Sequence, residues 1–366
     1  MPKLLSIFAV LLATPSFVQA QRVQSPQLHS DGTVTFRFLS EEADEVTVKI
    51  ARVENGTIEC EPIRPGFWQG TSSPLPPGIY EYNFVVDGVE QVDPRNRWIK
   101  KWYTLNSLFE VLGDPPRVTE LQTVPHGVLH HHVYTSDAPE QPRSVVVYTP
   151  PGYFENPSRK YPTLYLLHGF GDDQTAWTEV GRAHRIADNL IASGQAKEML
   201  IVMPYGHPTG LPYNQVPEGY GSQNDAAMVR DLDDTLIPWV QQHYRAASEK
   251  ENRAIAGLSM GGGHSIRTAL ATNDFAWVGA FSAAAPENAK LTELAKDLGQ
   301  FKSQLELFWI ACGEDDFLLQ RNRDFVQQLK QAGVPHQYVE SPGGHNWSVW
   351  RDDYLPKFLP MLFQSH

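Results

Sequence analysis

Apolar and polar residues alternate along the first third of the chain, and the alternation gives way to longer periods afterwards. Thr33–Leu39 (TVTFRFL) and Glu45–Val53 (EVTVKIARV) place apolar residues at every second position, the period of half-buried strands. Gly78–Val92 reads as two strands about Asp87-Gly88, a dipeptide that tolerates the left-handed backbone of a tight hairpin. With turn signals at Pro65-Gly66 and Pro76-Pro77-Gly78, this pattern predicts an all-β sandwich over residues 21–113. Residues 114–127 carry prolines that disfavour both helix and central strand, and they read as a linker.

Over residues 128–366 short apolar runs alternate with helical periodicity. SVVVYTP, TLYLLHG, MLIVMPYG, WVGAFSAAA and LFWIACG are strand-like, whereas RIADNLIASG, DLDDTLIPWVQQHY and RNRDFVQQLKQAG are helical, the first of them stopping at Gly194. This alternation predicts a mostly parallel sheet covered by helices on both faces.

At the start of the chain, Lys3, the apolar run Leu4–Leu12 and the small residues of Val18-Gln19-Ala20 predict a signal peptide over residues 1–20. The mature protein is therefore expected in the periplasm or outside the cell. The apolar run is too short to span a bilayer, and no later segment is long and apolar enough to do so. The net charge of −12 argues against a nucleic-acid partner, which needs a basic face. Cys60 and Cys312 fall in different halves and are expected to be free, buried thiols.

The candidate chemistry sits in the second half. Gly257-Leu258-Ser259-Met260-Gly261 fits G-x-S-x-G, between an apolar strand and a helix, the context in which a serine is lifted clear of a sheet. A serine hydroxyl needs a base to take its proton. The order serine, acid, histidine points to His345, on the Gly343-Gly344 loop after a strand. The acid is one of Glu314, Asp315 and Asp316, and the G-x-x-D spacing from Gly313 favours Asp316. Backbone amides for an oxyanion are expected from Met260 and from the loop LLHGFGDD, at Phe170 or alternatively Gly169. Trp177, Tyr205 and Trp347 are candidate substrate-binding residues, with core packing the competing role. His130-His131-His132 lies in a strand-like stretch whose side chains face opposite ways, so no metal site is expected there, and the chemistry requires no cofactor. Asn55 and Asn346 begin glycosylation sequons that are expected to go unused.

The blocks YPTLYLLHGFGDDQTAWTEVGRAHRIADNLI, ENRAIAGLSMGGGHSIRTAL, FAWVGAFSAA and GGHNWSVWRDDYLPKFLPMLF resemble carbohydrate esterase family 1, which includes feruloyl and acetyl xylan esterases and is similar to enterobactin esterases. The resemblance implies an α/β-hydrolase fold with Ser259, His345 and Asp316 as its triad and the Phe170 and Met260 amides as its oxyanion donors. LPPGIYEYNFVVDG and VDPRNRW resemble the immunoglobulin-like module, similar to family 48 carbohydrate-binding modules, that precedes many of these esterases; Trp68, Trp98 and Trp102 are then candidates for glycan contact. The fold class expected is thus α/β, an α/β-hydrolase preceded by an all-β immunoglobulin-like sandwich. The expected activity is hydrolysis of feruloyl esters on plant cell-wall xylan. The alternatives are an acetyl xylan esterase, a siderophore esterase and an inactive glycan-binding protein. Tyr205 stands where many relatives carry asparagine, which bears on the choice of acyl group.

Overall fold

The computed structural model describes residues 23–102, 104–137, 140–212, 215–287 and 291–364. The signal peptide expected over residues 1–20 lies outside the described residues.

The N-terminal part is a sandwich of two antiparallel sheets. One sheet orders its strands Gln27–Leu28, Val34–Leu39, Phe67–Thr71 and Glu61–Arg64. The other runs Thr57–Glu59, Val46–Ile50, Gly78–Val86, Leu105–Val111 and Ile99–Lys101, with Val89–Gln91 folded back on Gly78–Val86. The hairpin turn has φ of 49° at Asp87 and 82° at Gly88, the left-handed pair that lets two strands twist together. The expected strand Glu45–Val53 is shorter than its pattern: it ends at Ile50, and the chain turns through Arg52 at φ 58°. Alternate residues face inward, and Phe36 meets Tyr82 and Phe109 across the sheets with ring centroids 4.9 and 5.6 Å apart.

The second part is an eight-stranded sheet. Its strands are β1 (Val128–Asp137), β2 (Glu140–Thr149), β3 (Thr163–Leu167), β4 (Leu200–Pro204), β5 (Arg253–Leu258), β6 (Trp277–Phe281), β7 (Leu307–Gly313) and β8 (Gln337–Ser341). The spatial order is β1-β2-β4-β3-β5-β6-β7-β8. The first two strands pair antiparallel to their neighbours, and the remaining pairs are parallel. Every residue of β3, β4, β5, β6 and β7 is buried, which explains why these strands read as apolar runs instead of alternating. One face packs on the helix Ala183–Ala192 and on the C-terminal helical turns from Trp347 onward. The other packs on Tyr220–Arg230 and its continuation, on Met260–Thr272 and on Leu319–Gln331. Between Tyr220 and His243 the helix passes through a wider π-helical stretch at Asp231–Leu236. Cys60 and Cys312 are buried and unbridged. Among the described residues, no helix is long and apolar enough to cross a membrane.

The two parts are docked face to face. In the strand Leu105–Val111, Phe109 belongs to the sandwich core, whereas its neighbour Leu108 inserts among residues of the large sheet's core, including Trp347 and Val180. The Trp98 indole N–H donates to the Glu179 carbonyl at 3.1 Å, and the Arg182 guanidinium lies 4.1 Å over the Trp98 ring. The segment read as a linker is strapped down: the Asn189 amide donates to the Val118 and Glu120 carbonyls at 2.8 and 2.9 Å. Replacing Leu108 by Ala, which empties this socket, is expected to cost about 2–5 kcal/mol in urea unfolding. The same change at Leu105, 52 % exposed on that strand, is expected to shift stability by less than about 0.5 kcal/mol.

Candidate active site

Ser259 follows β5 and opens the helix Met260–Thr272, with φ 53° and ψ −116°. This backbone is strained for a residue with a side chain, and the surroundings hold it there. The Ser259 N–H donates to the Phe281 carbonyl at 2.9 Å, and its carbonyl accepts from Ala284 at 2.8 Å. A Cβ at Gly257 would lie 2.5 Å from the Gly261 backbone, and one at Gly261 would lie 2.5 Å from the carbonyl oxygens of Leu167 and His168. Both positions therefore require glycine, and the turn is as tight as the sequence spacing implies.

His345 and Asp316 arrive on loops after β8 and β7. These loops are stitched together: Glu314 N–H donates to the Ser341 carbonyl at 2.8 Å, and Asp315 N–H to the Gly343 carbonyl at 3.0 Å. The His345 Nδ1 lies 3.0 and 2.9 Å from the Asp316 carboxylate oxygens, and its Nε2 lies 3.0 Å from Ser259 Oγ. Asp316 is the member of the acidic trio that reaches the histidine. Burial alone would raise its pKa, but hydrogen bonds from His345, Ser282 and the Leu318 N–H hold the carboxyl below its ordinary value. An ionised carboxylate fixes the imidazole with Nδ1 protonated and leaves Nε2 to accept a proton from the serine.

The loop after β3 faces Ser259. A Cβ at Gly169 would come within 3.5 Å of the Ser259 Cβ, and Gly171 turns the loop at φ 85°. Two histidines pin this loop. His168 Nδ1–H donates to the Gly169 carbonyl at 2.8 Å while its Nε2 accepts from Gly206 N–H at 2.7 Å. His207 Nε2 accepts from Gly171 N–H at 3.3 Å, with Nδ1 2.7 Å from the Tyr220 hydroxyl. Both must be neutral to accept in this way, and burial drives them so, His168 down to about 4 and His207 to about 2. From the sandwich, the Trp102 indole donates to the Phe170 carbonyl at 2.7 Å. The Met260 amide stands at the first position of its helix, where no intrahelical carbonyl is available to it.

A cavity of about 350 Å³ opens beside the serine. Trp347, Trp350, Phe317 and Asn346 form its wall around His345, with the Phe317 and Trp350 rings 4.5 and 4.8 Å from the imidazole. Arg52, Lys100 and Trp102 of the sandwich and Asp172 also line it. Of the residues read from the sequence, Ser259, His345, Asp316, Phe170, Met260 and Trp347 come together here. Trp177 does not line the cavity: it lies behind Trp347, edge-on at 5.0 Å, with its indole N–H bound to the Leu167 carbonyl at 2.9 Å. A fully buried ring with its polar atom satisfied is a core residue, which corrects the substrate-binding role expected for it. Tyr205 is half-buried and outside the lining of this cavity, its ring 5.9 Å from His168 and 5.4 Å from His207, the two histidines that hold the loop, which corrects the place expected for it. Arg52, Lys100 and Asp172 carried no local signal in the sequence.

The model of the family described as "Putative esterase" matches residues 136–360. The chain belongs to this esterase family. It is 28% identical over 349 residues to an endo-1,4-beta-xylanase/feruloyl esterase of Xylanibacter ruminicola, covering 93% of this chain and 46% of that protein. The chain thus spans about half the length of that relative. A ferulic acid esterase from Anaeromyces mucronatus, solved in complex with ferulic acid, is 26% identical with a TM-score of 0.58 over 67% of this chain and 93% of its own. An enterobactin esterase from Shigella flexneri, at 16% identity, shares the fold over 90% of this chain and 93% of its own, with a TM-score of 0.59, so the likeness extends into the sandwich.

Asp172 is a buried carboxyl on the cavity wall. Its Oδ1 has no hydrogen-bond partner, and burial pushes the carboxyl up to about 8, with Lys100 opposing and Asp173 and Glu81 reinforcing the rise. The unfolded value is near 4, so the folded state favours the protonated form; that stability is complete below about pH 4 and drains away as pH climbs to about 8. The melting temperature is expected to fall between about pH 4 and pH 8. Asp172→Asn, which keeps the shape and cannot ionise, is expected to flatten this slope in a calorimetric pH series.

Proposed function

We propose that this esterase hydrolyses hydroxycinnamoyl esters, of the feruloyl type, on plant cell-wall polysaccharide through a covalent acyl-enzyme. The observation that carries the reading is the unbroken chain of hydrogen bonds from Asp316 through His345 to Ser259 at the edge of an aromatic-walled cavity. The long match to a xylanase/feruloyl esterase supports the substrate class.

In this mechanism Ser259 Oγ attacks the ester carbonyl carbon as His345 Nε2 takes its proton. Asp316 keeps the imidazole oriented and stabilises the imidazolium. The Phe170 and Met260 amides hold the oxyanion, each donor contributing ~3 kcal/mol to the transition state. The tetrahedral intermediate collapses, the C–O bond to the sugar breaks, and His345 returns its proton to the departing hydroxyl. Water, deprotonated by the same imidazole, then attacks the acyl-enzyme and releases the free acid and Ser259. The residues involved need no metal or organic cofactor for these steps. Trp347 and Trp350 offer the flat apolar wall that an aromatic acyl group requires, and the cavity size matches a ligand of that scale.

The test is hydrolysis of methyl ferulate beside release of acetate from acetylated xylan, by wild type and Ser259→Ala. Ferulate release that falls by several powers of ten in the variant is the expected result. Acetate release without ferulate release would keep the mechanism and overturn the acyl assignment. The absence of both activities in folded wild-type protein would overturn the cell-wall reading.

A further inference from the structure

Among the groups that face the cavity, Arg52 has no task in the chemistry above. It sits in the turn after the sandwich strand Val46–Ile50, at φ 58°, a backbone that asparagine or glycine adopts more cheaply than arginine. Its neighbours at the cavity are already paired. Glu81 is held by Lys100 Nζ at 3.0 and 3.1 Å and by the Asn106 amide at 2.7 Å; Arg52 meets the same carboxylate only through Nη1 at 3.4 Å. The Arg52 side chain is 57% exposed, against 10% for Lys100, and it lines the cavity, so its guanidinium fork is accessible there.

That mouth continues into a second cavity of about 250 Å³, which Arg52 and Trp347 share with the first. The charged groups lining the second cavity are Arg52, Glu81, Arg351 and Asp352, and the Arg351 guanidinium is bound in a fork to Asp352 at 2.8 and 2.8 Å. Among the described charged groups lining the two cavities, Lys100 is set closely against Glu81 and Arg351 against Asp352, whereas Arg52 reaches Glu81 only at 3.4 Å, in a protein whose net charge is −12. In an ester whose alcohol belongs to a polymer, the enclosed part must be the acyl group, and the alcohol portion must leave through the open mouth. That path passes Arg52.

We propose that Arg52 forms, at this mouth, a subsite for a carboxylate on the alcohol portion of the substrate, the group that a uronic acid residue brings to a glycan. The guanidinium fork matches a carboxylate in shape and charge, and a half-exposed site suits a preference that distinguishes substrates without trapping product. The proposal rests on the ester-hydrolase reading of the neighbouring site. It also gives the sandwich a part in substrate choice through the wall it contributes to the active site.

Four small esters test it: the carboxymethyl and 2-hydroxyethyl esters of ferulate and of acetate, whose alcohols match in size and differ in charge. For whichever acyl group is cleaved, kcat/KM is expected to favour the carboxymethyl ester by roughly five- to tenfold at low salt and to lose that preference in high salt. Arg52→Asn, which suits the left-handed backbone, is expected to bring the ratio to about one or below, whereas Arg52→Lys retains part of it. Cleavage of the acetate pair alone would overturn the feruloyl assignment and still read the carboxylate preference. A wild-type ratio of one or less, or a ratio that Arg52→Asn leaves intact, would overturn the subsite.

Discussion

A side chain can be lifted out of a fully buried parallel sheet only where the backbone folds back on itself, and at Ser259 the fold-back leaves no room for a single methyl group. The Gly257 and Gly261 backbones pass so close that each fixes the other's identity, and the carbonyls of Leu167 and His168 close the turn from the next strand. The rest of the site is registered on that turn. The loop after β3 lies where it does because it packs against Gly261, and the loops after β7 and β8 meet above it because a Cβ at Gly313 would collide with the Gly343 carbonyl. The geometry of three hydrogen-bonding side chains is thus set by backbone contacts, which cannot relax as side chains can.

Around this turn the protein keeps its charges in two distinct conditions. His168 and His207 are buried and neutral, each giving a backbone amide of the loop region an acceptor. Neutrality serves order, because a protonated ring could not accept. Lys100 and Glu81, by contrast, form an ion pair where the sandwich meets the cavity, Lys100 donating to both carboxylate oxygens and the Asn106 amide adding a bond to Oε2. A pair so bonded adds little net stability once the cost of taking both ions from water is counted, and it constrains how the two parts fit.

The parts of this structure that were legible in the sequence are those whose cause is local. The serine turn shows itself in five residues because its steric demand falls on five residues. The hairpin at Asp87-Gly88 and the stop at Gly194 are local in the same way. The period change near residue 128 separates a half-buried antiparallel sheet from a sheet buried on both faces. Spacing favoured Asp316 among three adjacent acids, the resemblance implied the same residue, and the structure supplies the reason: the turn in which Asp316 N–H meets the Gly313 carbonyl brings that side chain, among the three, to His345. Trp177 and Tyr205 were misread because nearness in sequence to a site says nothing about which side of a loop a ring occupies. Arg52 and Lys100 were invisible because their relation to Ser259 exists only where the sandwich packs against the large sheet.

Trp102 illustrates what such docking entails. Its indole hydrogen bond ends on the carbonyl of Phe170, a residue that lines the cavity beside Ser259. A module joined by a tether can be lost, duplicated or exchanged between genes without touching the enzyme it serves. This sandwich cannot be traded so freely, because an incoming module must also cap the Phe170 carbonyl and fill the socket that Leu108 occupies.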